Sequence, residues 1–203
     1  MYTPRAFALD DDGALDVLTR AGAGFVVRAG ADGLRSVFVP FVLSPDRRTL
    51  TTHVARANDW WRDADGASVL VTVLDASSYV TPRWYPSRLE EPDAVPTWNY
   101  VAAEVRGVVR VHDDLAWVRR QVETQTDHFE GPDPGAWRVG DADPAYIERM
   151  CRAIVGLEVE VVSIEGKAKL SQNRPDVDRR EVRARLAAGD DGQRRTASRM
   201  GDE

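Results

Sequence analysis

A run of short Val-, Phe- and Thr-rich segments, each closed by a turn signal, constrains this chain more than any other feature. Residues 24–29, 34–43 and 50–53 have the composition of strands, and Gly30-Ala31-Asp32-Gly33 and Ser44-Pro45-Asp46 separate them. Connections this short make antiparallel neighbours in a meander, not a parallel crossover. Two more strands are expected over 68–74 and 78–81. A long one covers 98–111, where Val101, Ala103 and Val105 alternate ahead of a possible bulge at Gly107, and a last one covers 157–165. Helices are expected over 6–20, with Leu15, Val17 and Leu18 on the apolar side, and from an Asn58 cap to about Ala64. A third starts at Asp113 or Asp114 and runs to about Gln125. A fourth opens on Asp143-Pro144, repeats apolar residues at Tyr146, Ile147, Met150, Cys151 and Ile154, and stops at Gly156. A terminal helix covers 177–188. Six or seven strands with helices at the edges predict a mainly β fold with α additions, a small closed antiparallel barrel.

At 203 residues the chain has room for one domain, expected over 1–188, with a polar, disordered tail over 189–203. A formal net charge of -6 argues against a broad nucleic-acid footprint, though not against a local one. No apolar run is long enough to span a membrane. The N-terminus lacks a secretory pattern, so the expected location is cytoplasmic. Cys151, the one cysteine, falls on a helix face and is expected to pack, not react. His53, His112 and His128 lack metal-site spacing, and neither a GxGxxG nor a GxxxxGK loop occurs.

Candidate site residues emerge from scarcity. The chain has 25 Arg but two Lys, Lys167 and Lys169, and three Asn, namely Asn58, Asn99 and Asn173. These fall in three dense segments, 52–61, 95–100 and 167–174, which are expected to converge. Arg56, between a strand end and a capped helix start, suits a phosphate; it could equally pair with Asp59 or Asp63. His53 is either a core histidine or a ligand contact. Trp98 and Asn99 pair a flat indole with an amide that both donates and accepts, as a heterocycle with imide edges requires. Trp84 and Tyr85 add aromatic surface or pack a barrel end. Lys167 and Lys169 share a strand face if the strand continues, and an anion between them would relieve their repulsion. Ser171, Gln172 and Asn173 add uncharged polar groups. Arg179, Arg180, Arg183 and Arg185 make the terminal helix basic, but Asp176, Asp178 and Glu181 dilute it, so DNA binding is possible without being evident.

The motifs MYTPRAF (1–7), HVARAN (53–58), SYVTPRWYPS (78–87), VPTWNY (95–100), AIVGLEV (153–159) and IEGKAKLSQNR (164–174) run in a familiar order. From residue 1 to about Leu186 the chain resembles the PaiB family of FMN-binding negative transcriptional regulators, within the flavin-reductase-like split-barrel superfamily. The resemblance implies a split antiparallel β-barrel with peripheral helices, a homodimer, and FMN at the subunit interface. It implies Arg56 and Asn58 near the phosphate, and Trp98, Asn99, Lys167, Lys169, Ser171 and Gln172 around the flavin, some of them from the partner subunit. One departure stands out. Where the family reads something like THLP, this chain has Val37, Phe38, Val39 and Pro40, so a polar His facing the pocket is missing. Relatives on this scaffold include flavin oxidoreductases and haem enzymes, for which His53 is the natural axial ligand to haem b.

Overall fold

The computed structural model describes residues 1–90 and 93–201. Its strands are β1 Ala23–Gly30, β2 Gly33–Pro40, β3 Val42–Leu43, β4 Thr49–Ala55, β5 Ser68–Val80, β6 Thr97–His112 and β7 Ile154–Lys169. They form one seven-stranded sheet in the order β2-β1-β5-β6-β7-β4-β3. The helices are α1 Asp11–Ala21, α2 Leu115–Glu130, α3 Pro144–Arg152, α4 Asp176–Ala187 and α5 Asp191–Arg199. This is the expected split-barrel class, but without the closure expected from the strand count. Among the described residues the sheet has two ends, β2 and β3. Pro40 ends β2 without a backbone donor, and the next amide, Phe41 N, donates to Gly22 O instead. Nor is the sheet a meander throughout: β4 pairs with β3 and β7, not with β2.

The chain divides into two compact units, each discontinuous. One comprises Met1–Ala21, Val73–Glu104 and Ile164–Glu203; the other comprises Gly22–Thr72 and Val105–Ser163.

In the second of these, β1 and β2 form the expected hairpin, with Gly30 opposite Gly33 across the Ala31-Asp32 turn. Gly33 has a φ of 110°, which glycine adopts without strain. β4 pairs antiparallel with β7, and His53 lies opposite Gly156. Asp114 caps α2 and Asp143 caps α3, as the sequence predicts. Val118 of α2 and Ile147 and Cys151 of α3 bury together with Val139. Burial pushes the Cys151 thiol up from its ordinary pKa, consistent with packing over reactivity. The helix expected to stop at Gly156 ends instead at Arg152, with Ala153 as its C-cap. Gly156 belongs to β7, where the Trp117 ring occupies the space a side chain would need. The helix expected to reach Ala64 is a single 3-10 turn, Asp59–Trp61, and Arg62 leaves it in an extended conformation.

In the other unit, α1 buries Ala14, Leu15, Val17 and Leu18. The two strands expected over 68–74 and 78–81 are one strand, β5. Asp75, in the gap between the two expected ranges, is buried, accepting from Arg199 Nε at 2.6 Å with Arg20 Nε at 3.6 Å. Arg199 also corrects the expectation of a disordered tail, because residues 191–199 form α5. Asp190 caps it in a reciprocal arrangement with Gln193, and buried Thr196 bonds Ser78 at 2.7 Å. Ala197 joins Val80, Tyr85, Val182 and Leu186 in a small core, with Met200 packed against it.

Candidate functional site

The ten residues singled out in the sequence fall in both units: His53, Arg56 and Asn58 in one, and Trp98, Asn99, Lys167, Lys169, Ser171, Gln172 and Asn173 in the other.

His53 projects from β4 towards α2, where Nδ1 lies 2.9 Å from Gln121 Oε1. The Gln121 amide is itself oriented, since its Nε2 donates to Gln125 Oε1 at 2.6 Å. Gln121 therefore presents an acceptor, and His53 must carry its proton on Nδ1. Burial lowers the His53 pKa, against the raising effect of the Gln121 bond. The ring is thus held neutral near pH 7, with the Nε2 lone pair available to accept a proton, a hydrogen bond or a metal. Neither Gln121 nor Gln125 was singled out in the sequence. Two glutamines four apart on the inward face of α2 were the available signal, since buried amides need partners.

Arg56 pairs with neither Asp59 nor Asp63. Its Nε donates to Arg152 O at 2.8 Å, and its Nη2 bonds the Asp113 carboxylate and Ile154 O. The guanidinium lowers the Asp113 pKa by hydrogen bonding. Among the described residues it bonds through Nε and Nη2 and not through Nη1, so the group is aimed with one edge unused. Asn58 caps the 3-10 turn as expected, its Oδ1 accepting from Trp60 N at 2.9 Å.

In the other unit β7 does continue through Lys169, so the two lysines share a face, but they serve different partners. Lys167 is buried, donates to Tyr2 O at 3.0 Å and lies 5.2 Å from the Tyr100 ring centre. Lys169 donates to Thr97 Oγ1 and to Trp98 O. Burial, with Lys167 and Arg174 nearby, lowers its pKa. Asn99 is fully buried: Oδ1 accepts from Ser171 Oγ at 3.0 Å, and Nδ2 faces Met200 Sδ at 3.9 Å. Gln172 folds onto its own turn, bonding Leu170 N and Ala168 O. Asn173 is exposed. The Trp98 indole is half-exposed and set edge-to-face with Tyr79 at 6.3 Å, a face open to a planar ligand. Tyr79 was not singled out. Tyr85 belongs to the small core that includes Ala197 of α5, and Trp84 packs against it. Among the described residues, no group of His, Cys, Asp and Glu could hold a metal ion.

The family model described as "Putative FMN-binding domain" matches residues 1–163. The chain belongs to this PaiB-like family. It is 31% identical over 138 residues to the "Protease synthase and sporulation protein PAI 2" of Bacillus subtilis, covering 66% of this chain and 62% of that protein. It is 35% identical over 119 residues to an uncharacterized protein of Aspergillus fumigatus, covering 51% of this chain and 46% of that one. The chain thus spans less than two thirds of the length of either relative. A solved structure of an FAD and heme binding protein from Mycobacterium smegmatis superposes with a TM-score of 0.61 at 17% identity, covering 90% of this chain and 80% of that one. That likeness concerns the fold.

Proposed function

We propose that the protein binds FMN and acts as a flavin-linked regulator or sensor of the PaiB kind. Membership of the FMN-binding family over residues 1–163 carries the reading. The residues present fit the group. In one unit the Trp98–Tyr79 pair offers an aromatic face and Lys169 a partly buried ammonium bonded to the Trp98 carbonyl; in the other unit, taken by itself, Arg56 offers a guanidinium edge suited to a phosphate oxygen. When bound, the flavin would supply the redox chemistry, while Arg56 and Asn58 would hold its phosphate end. Homodimerisation, with the cofactor between subunits, belongs to the same proposal. Titration with FMN and with riboflavin tests the phosphate role. Arg56→Ala is expected to weaken FMN binding about tenfold or more and riboflavin binding little; equal losses would remove Arg56 from the phosphate. A regulator should also bind a promoter fragment selectively, with affinity falling as salt rises. Absence of DNA binding at any ionic strength would leave a sensor or enzyme.

A second reading is favoured by one observation. The neutral His53 with its free Nε2 is what an axial haem ligand requires, and the Mycobacterium smegmatis protein on this fold is described as binding both FAD and heme. On that reading the chain is an oxidoreductase or a haem enzyme. A Soret band that shifts in His53→Ala would support it.

A further inference from the structure

A groove between α2 and the β3–β4 hairpin holds opposite charges that do not neutralise each other. Its volume is about 340 Å³, within the usual range for small-molecule sites. Val42, Leu43 and Pro45 make an apolar side, the Trp117 indole makes an aromatic one, and Arg120 and Glu158 bring charge. Arg120 is exposed and has no ion-pair partner among the described residues, while its neighbour Arg119 pairs with Glu123 at 3.0 Å. The Glu158 side chain is 26% exposed and has His112 Nε2 at 3.9 Å, beyond hydrogen-bonding reach. That nitrogen is buried without a partner. The His112 ring stacks on Trp117 at 4.0 Å and 4°, so the carboxylate stands beside an aromatic wall.

A cationic ligand here would face Arg120, and an anionic one would face Glu158. A ligand with both charges satisfies both residues. We infer that this groove binds a small zwitterion with an apolar or aromatic body, the chemistry of a free α-amino acid. Its carboxylate lies in the Arg120 fork, its ammonium on Glu158, and its body between Trp117 and the Val42–Leu43–Pro45 wall. The inference does not rest on the flavin reading. It does reach the His53 site, because Gln121 lines the groove and also fixes the His53 tautomer.

Isothermal titration of the full chain with L-leucine, L-phenylalanine and L-tryptophan tests it, beside 2-phenylethylamine, which lacks the carboxylate, and 3-phenylpropionate, which lacks the amine. At least one amino acid is expected to bind, and each analogue to bind about tenfold or more weakly than L-phenylalanine. Arg120→Ala should remove the advantage of L-phenylalanine over the amine while leaving the amine no weaker. Glu158→Gln should remove its advantage over the acid. Arg120 makes no ion pair among the described residues, so its variant should keep the wild-type Tm. No binding of any of the three amino acids, equal binding of the analogues, or displacement by FMN would each overturn the inference. The last outcome would assign the groove to the flavin.

Discussion

Gly156→Ala perturbs the His53 site without touching the histidine. Gly156 sits opposite His53 in the β4–β7 ladder. A Cβ there would lie 2.5 Å from Trp117 Cε3 and 3.2 Å from Cη2, with Cζ3 nearer still. Carbon atoms in contact sit at about 3.5–4.0 Å, so the indole must retreat by about 1 Å or more. The ring is not the loose end of a flexible side chain: it stacks on His112 and stands one helical turn before Gln121. Its retreat must lift α2 or break the stack. Overpacking of this kind costs about 1–3 kcal/mol, and losing the His53–Gln121 bond would add about 1 kcal/mol. At roughly 2–4 °C per kcal/mol for a chain this size, Tm should fall by about 4–16 °C. Scanning calorimetry measures the loss, and imidazole ¹⁵N NMR reports whether His53 keeps its Nδ1 proton. In a Trp117→Leu background the same substitution should cost much less. An unchanged Tm, or an equal cost in both backgrounds, would refute the packing argument.

His53 should make stability depend on pH in a defined direction. Its folded pKa lies below the ordinary 6.5, so between those values the unfolded chain binds more protons, and stability falls as pH drops through that window. Urea midpoints measured against pH should show this slope, and His53→Gln should flatten it; an unaltered slope would mean His53 titrates normally. Arg199→Met would leave Asp75, 7% exposed, with Arg20 alone. Breaking a buried pair costs about 3–5 kcal/mol, and with Arg20 remaining the expected loss is about 2–3 kcal/mol. Unchanged urea stability would mean α5 is not anchored there. Lys169→Arg should weaken FMN binding measured by fluorescence titration, because a planar fork cannot reproduce the ammonium's bonds to Thr97 and Trp98. Equal affinity would reduce the scarcity of lysine to composition.

Strands and helix caps were legible in the sequence wherever periodicity or a cap residue announced them. The Gly30–Gly33 hairpin and the Asp114 and Asp143 caps are examples. What escaped were elements held by distant polar partners. β5 runs through Asp75, and α5 forms in a polar tail, because the Asp75–Arg199 pair joins residues far apart in sequence. Gly156 was read as a helix stop because a glycine that admits a ring and one that ends a helix look alike in one dimension. The site was legible in part. Scarcity pointed to Lys169 and Asn99, and Ser171 lies in the same segment as Lys169; Lys169 bonds Thr97 and Ser171 bonds Asn99. It did not point to Gln121, Gln125, Arg120 or Glu158, since glutamine, arginine and glutamate on a helix or strand face usually only meet water.

The flavin claim is tested most directly by the visible absorption spectrum of the freshly purified protein, with any released cofactor identified after denaturation and the apoprotein titrated with FMN, FAD and haem. The expected result is the paired near-ultraviolet and blue bands of oxidised flavin, FMN on release, and saturable FMN binding to the apoprotein. A Soret band with haem released, or an apoprotein that takes up no flavin, would contradict it.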